Sequence, residues 1–110
     1  MIMRKGNVFI RGELCGTIIQ DEDGFEFQYE VDWLARPEAE AASLTLPLTK
    51  EAYRSNILFP FFDGLIPEGY LLEVAVRHFG IPASDRMGLL LKACRETIGC
   101  VSVMEANEDE

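Results

Sequence analysis

The chain has 110 residues with 48% apolar and 10% aromatic content, enough for one packed core and too apolar for a disordered coil. Its net charge of −9 repels phosphate backbones, which disfavours direct nucleic-acid binding. No apolar run approaches the roughly 20 residues of a membrane-crossing helix, and Met1-Ile2-Met3-Arg4-Lys5 leads into polar sequence rather than a signal peptide, so no membrane partner and a cytoplasmic location are expected.

In chain order, Asn7 to Gln20 reads as two strands around a tight turn near Arg11-Gly12-Glu13, and Asp21-Glu22-Asp23-Gly24 as a second turn. Phe25, Phe27 and Tyr29 alternate with Glu26, Gln28 and Glu30, the period of a strand with one wet face. Together these make an antiparallel meander. Trp33-Leu34 anchors a short helical turn that Arg36-Pro37 breaks. Leu44, Leu46 and Leu48 alternate again, but Pro47 lacks a ladder donor, so this segment is an edge strand or an extended connection.

After Thr49 the pattern turns helical. Pro67 suits the first turn of a helix, Leu71, Leu72, Ala75, Val76 and Phe79 share one of its faces, and Gly80 with Pro82 ends it. Ser84 is the expected N-cap of the next helix, with Asp85 in its first turn and Met87, Leu90, Leu91 and Cys94 on its apolar stripe. Gly99 to Met104 suits a short last strand, and Glu105 to Glu110 an acidic, frayed tail. The expected fold is α+β: a small antiparallel meander, two to three helices and a short last strand, in one domain over residues 1–110 with an ordered core over 5–104.

Charge is uneven. Residues 21–40 hold eight acids against Arg36 alone, a net −7, which reads either as a solvated strand face or as attraction for a basic partner. Residues 101–110 add −4, the composition of a solvated end.

Little in the chain points to catalysis. Cys15, Cys94 and Cys100 are odd in number, lack CxxC spacing and read as small core residues. His78 is the single histidine, so no His-based metal site is expected, and its place near a helix end suits a C-terminal cap. Phe62-Asp63-Gly64 inverts the order of the kinase Asp-Phe-Gly motif, and neither a Gly-rich phosphate loop nor a Walker A sequence is present. Carboxylate pairs carry no specificity in a chain with 19 acids. The chain reads as no enzyme by itself and as needing no cofactor.

The stretch Leu58 to Tyr70, LFPFFDGLIPEGY, crowds large apolar side chains among Pro60, Asp63-Gly64 and Pro67-Glu68-Gly69. Asp63 either caps the following helix or closes an Asp-Gly turn. Leu58 to Phe61 are expected to feed the core and Phe62 to Tyr70 to shape an exposed surface of the kind that marks an interface.

Phe62-Asp63-Gly64-Leu65-Ile66-Pro67-Glu68-Gly69 resembles the F-x-N/G-L-L-P-E/D-G signature in the N-terminal subdomain of HipA-type toxin kinases. Leu14 to Ile18, Ser43 to Leu48, and Leu89 through Gly99 resemble three further elements of that subdomain, in the same order. Cys94, Glu96 and Cys100 stand where the family has Gly, Asp and Ala, which affects a local turn. The kinase core that follows the subdomain in HipA is missing.

A free-standing copy of this subdomain is similar to the HipS-type small antitoxins of three-part toxin–antitoxin systems. The resemblance implies a HipT-like serine/threonine kinase as the partner to be inhibited, with a HipB-like protein handling DNA in a larger complex. It implies a protein-binding surface of Phe62, Asp63, Leu65, Ile66, Pro67, Glu68, Gly69 and Tyr70, with Tyr70 at the position whose aromatic approaches the kinase's nucleotide site. The rival expectation is a non-inhibitory N-terminal subdomain of a full-length HipA-type kinase.

Overall fold

Alternating apolar residues build β1 (Ile2–Ile10) and β2 (Glu13–Asp21), which pair antiparallel around a two-residue turn. Arg11 (φ 50°) and Gly12 (φ 81°) both take left-handed backbone there, the requirement of a type I′ turn whose twist matches its strands. β3 (Gly24–Tyr29) completes the meander against β2, and α1 (Val31–Leu34) follows at once, its Trp33 buried. The computed structural model describes residues 2–95 and 100–106. The expected Glu96–Gly99 part of the fourth matched segment lies outside that range, as do residues 107–110 of the expected Glu105–Glu110 tail, whose Glu105 is not frayed but ends the last strand opposite Gly6.

The sequence does not become helical directly after Thr49. Tyr53–Ser55 forms β4, an edge strand paired with Phe25 to Phe27. Three residues are too few to display a period, which is why the pattern concealed it. The edge-strand option for Leu44, Leu46 and Leu48 falls away in turn. Only a Ser43–Leu46 bridge forms there, with Leu46 buried and Leu44 99% exposed. Aromatic polar tips organise this connection. The Tyr29 hydroxyl donates to the Leu46 carbonyl and accepts the Ala42 amide, Trp33 Nε1–H donates to Glu40 O at 3.0 Å, and the Tyr53 hydroxyl donates to Pro47 O at 2.7 Å.

Three helices then cross the chain back: α2 (Pro60–Asp63), α3 (Gly69–Phe79) and α4 (Arg86–Ala93). α3 starts at Gly69, so Pro67 precedes it instead of sitting in its first turn. It ends at Gly80, whose amide reaches Val76 O at 2.9 Å. β5 (Val101–Glu105) returns to pair antiparallel with β1, placing Val103 opposite Val8, and Ala106 N–H bonds Lys5 O at 2.9 Å. The sheet order is β4-β3-β2-β1-β5, and every neighbouring pair is antiparallel. The α+β class holds, with four helices among the described residues, two of them four-residue turns.

The core fills the space between one sheet face and the helices. Val8, Ile18, Phe27, Phe62, Leu89, Leu90 and Val103 are all fully buried. α4 contributes most of its length, because Met87 through Leu91 are buried consecutively rather than as the single expected stripe. Neighbours must therefore cover α4 on more than one side.

Asp85, and not Ser84, caps α4. Its carboxylate accepts the Gly88 amide at 3.1 Å and a two-pronged ion pair from Arg4 of β1 at 2.8 and 2.9 Å. The choice favours Asp85 because one side chain then closes a helix end and ties it to the first strand. Arg4 first, then the Gly88 amide, holds the Asp85 carboxyl below its ordinary value. The stability this adds is present above the unfolded carboxyl's pKa and is lost as pH falls through the lower folded value. Asp85→Ala is expected to cost about 1–2 kcal/mol at neutral pH, with Asp85→Asn costing less because it keeps a cap acceptor. Urea titrations check both, and the gap between wild type and Asp85→Ala should narrow at acid pH.

Candidate protein-binding surface

α2 forms because Pro60 sits at its first position with φ preset and its missing amide harmless there. Two residues later Phe62 drives fully into the core, its ring centroid 5.3 Å from Phe27 and 5.2 Å from Phe61. Ile66 is buried as well, while Leu65 and Pro67 are half-buried. The division of the segment is thus not at Phe62. Phe62 and Ile66 offer no free side-chain surface, and beyond Gly64 the exposed residues of the segment are Glu68, Gly69 and Tyr70.

Asp63 neither caps α3 nor faces open solvent alone. Its carboxylate takes Arg86 Nε–H at 2.6 Å, and Arg86 also donates to Ala83 O at 3.2 Å. This joins the end of α2 to the start of α4, and Asp63 acts as a clamp under the segment.

Gly69 opens α3 with φ 58°, and nothing lies within 4 Å of where its Cβ would stand. Glycine is needed there for backbone conformation and not for space, since an L side chain in left-handed backbone costs roughly 1–2 kcal/mol. The reversal at Gly69 turns Tyr70 out of the fold, leaving it 76% exposed. Along α3, Ala75 is buried and Leu72 and Val76 pack on the core, whereas Leu71 (64% exposed), Val74 (45%) and Phe79 (39%) do not. Leu71 and Phe79 were expected on the packed stripe. Apolar residues at 71, 72, 74, 75, 76 and 79 span more than one helix face, and α4 is the principal neighbour of α3. One neighbour cannot cover so wide an arc, and that width was the sequence signal for an exposed surface.

The buried cysteines have no nucleophilic character. Burial pushes the Cys15 thiol up to about 12 and the Cys94 thiol up to about 11, so both stay protonated at neutral pH. Cys94 donates to Leu65 O at 3.4 Å. Cys100 departs from expectation in being exposed. His78 stands in the last turn of α3, edge-on to Phe79 at 4.7 Å, while the Gly80 and Ile81 amides close that helix end on Val76 O.

Part of the acidic 21–40 segment is balanced within the chain. Arg54 bridges Asp21 and Glu26 at 3.0 and 3.2 Å, and Arg11 pairs with Glu40. Arg54 holds the Asp21 carboxyl below its ordinary value, the Asp23 amide adding to the effect. Such exposed pairs contribute little to stability, but they reduce the charge available to a basic partner.

Among the described residues no helix is long and apolar enough to cross a membrane, and no group of His, Cys, Asp and Glu is arranged to hold a metal ion.

Residues 6–104 match the model of the HipA N-terminal domain. An uncharacterized protein of Haemophilus influenzae is 34% identical over 107 residues, which cover 97% of each chain. The protein titled "Putative kinase Y4mE" of Sinorhizobium fredii is 26% identical over 110 residues, where 99% of this chain spans 26% of the relative's length. A solved structure titled N-terminal domain of HipA toxin superposes with a TM-score of 0.71 at 29% identity, covering 96% of this chain and 95% of that one. In HipA this domain is a non-catalytic part of the kinase. With the family model matched over residues 6–104, nearly its whole length, the chain belongs to the HipA N-terminal domain family.

Proposed function

We infer that this chain is an antitoxin: an inhibitory binding module for a HipT-like serine/threonine kinase, which it engages through the Phe62–Tyr70 segment. The observation that carries the reading is Tyr70, a large aromatic 76% exposed in the first turn of α3, directly after the left-handed Gly69. An exposed aromatic at such a turn is a common form of interface anchor. Within the segment, Glu68, Gly69 and Tyr70 make the contact. Phe62, Asp63, Leu65, Ile66 and Pro67 hold the backbone beneath it, by burial or through the Arg86 clamp. Kinship with HipA supports a kinase as the class of partner, and a relative of matching span supports a role for the domain on its own. A HipB-like protein would carry any contact of the larger complex with DNA, since this chain's charge of −9 opposes it. Inhibition of a cytoplasmic kinase is the setting in which the chain would act.

A second reading rests on the Sinorhizobium fredii relative, in which the same domain occupies 26% of a longer protein titled as a kinase. On that reading the domain is a structural subdomain without inhibitory effect.

Co-expression with a HipT-like serine/threonine kinase of the same organism, followed by pull-down and an autophosphorylation assay, separates the two. The antitoxin reading expects a stable complex with kinase activity reduced at least about tenfold. A complex as active as the kinase alone overturns it in favour of the second reading, and no complex overturns both.

A further inference from the structure

Behind the Tyr70 edge, α3 forms one wall of an open groove of about 580 Å³. Leu71, Val74 and His78, one helical stripe, line that wall with Phe79, and the opposite side is formed by the end of α4 and by Met104 of β5. The apolar lining is exposed on the free chain: Leu71, Val74 and Phe79 are among its uncovered large hydrophobic residues. The chain has 19 acids and 10 bases, yet none of the described residues lining this groove is acidic, while Lys92 and Arg95 both line it. Lys92 pairs with Glu105 at 2.8 Å. Arg95 has no ion pair among the described residues, nor has Arg77 in the last turn of α3. The other five arginines are all paired: Arg4, Arg11, Arg36, Arg54 and Arg86.

We propose that this groove is a second docking site for the partner kinase and receives an apolar segment flanked by carboxylates. The apolar side chains of that segment pack on Leu71, Val74 and Phe79, and its carboxylates pair with Arg95 and Arg77. The proposal rests on the kinase-binding reading and adds the chemistry of a contact that Tyr70 does not make, since Tyr70 lies outside the groove lining. Charge complementarity selects the occupant. Arg95 in the lining and Arg77 on the same helix as Val74 and His78, on a chain of net −9, favour an acidic segment, and that same net charge opposes a second copy as the occupant.

The test uses the full chain and the co-expressed kinase, with Kd measured by calorimetry at low and high salt. Circular dichroism melts confirm that each variant is folded. Val74→Asp places a charge on the apolar wall and is expected to weaken binding about tenfold or more. Arg95→Glu should weaken it more than Arg95→Gln does, and the difference should shrink in high salt. Light scattering should find the free chain monomeric. If wild type binds and Tyr70→Ala disrupts binding while Val74→Asp and Arg95→Glu keep wild-type Kd, the groove assignment is overturned and the kinase reading stands. If wild type does not bind, both fall. A dimer of the free chain that Val74→Asp dissociates assigns the groove to a second copy and overturns the proposal.

Discussion

Tyr70→Ala is expected to weaken binding to the proposed partner kinase by about 30-fold or more, a loss of roughly 2 kcal/mol, while leaving the unfolding midpoint unchanged. The two halves of this expectation share one cause. A side chain 76% exposed on the free domain contributes little to its core, so truncation removes little that folding uses. On the kinase-binding proposal the same ring would be desolvated in the complex, and aromatic anchors of that kind carry a disproportionate share of interface energy. Calorimetric titration of the kinase, beside a thermal melt of each free domain, reads the two halves separately. Wild-type affinity in Tyr70→Ala would remove the anchor assignment, and a lowered midpoint would show that the ring packs on the domain instead.

Phe62→Ala, eight residues earlier in the same segment, is expected to do the reverse. Phe62 is fully buried and packs among Phe27, Phe59 and Phe61, with ring centroids 5.2–6.2 Å away. Removing it takes away the transfer energy of the ring and leaves a cavity that its neighbours only partly fill, a loss of about 3–5 kcal/mol. A single domain has only about 5–15 kcal/mol in total, so the variant should be partly unfolded at physiological temperature. Urea denaturation measures the loss directly. Phe62→Leu, which restores part of the volume, should recover some of it. On the proposed reading, binding per folded molecule should stay close to wild type, because the buried Phe62 would support the surface without offering side-chain contact of its own. A Phe62→Ala variant as stable as wild type would contradict the buried position.

The contrast between these residues shows what the sequence pattern expressed well and poorly. β1 to β3 were legible because strand alternation and turn chemistry act over a few residues: Arg11-Gly12 closes one turn, and Phe27 and Tyr29 show which side is dry. β4 was not, since three residues gain their strand conformation from pairing with Phe25 to Phe27 and not from a period of their own. Ser84 and Asp85 are both good caps by composition. Only the approach of Arg4 from β1 distinguishes them, across 81 positions of sequence. Leu44 and Leu46 differ in burial for the same type of reason, as Tyr29 draws the Leu46 carbonyl inward and leaves Leu44 in water.

The sequence by itself determined the α+β class, the meander, the presence of α4 and the resemblance to the HipA N-terminal domain. These depend on local periodicity, on turn residues and on short motifs, all properties of neighbours along the chain. The tertiary structure alone decided which part of LFPFFDGLIPEGY is core and which is surface. Phe62, Ile66 and Tyr70 are all large and mainly apolar, and no local rule ranks them. Phe62 and Ile66 meet the packed interior, whereas the left-handed turn at Gly69 and the narrow contact of α3 with α4 leave Tyr70, Leu71 and Val74 uncovered. Burial is a property of what the rest of the chain brings alongside, and that is settled only when the sheet and the helices have closed on one another.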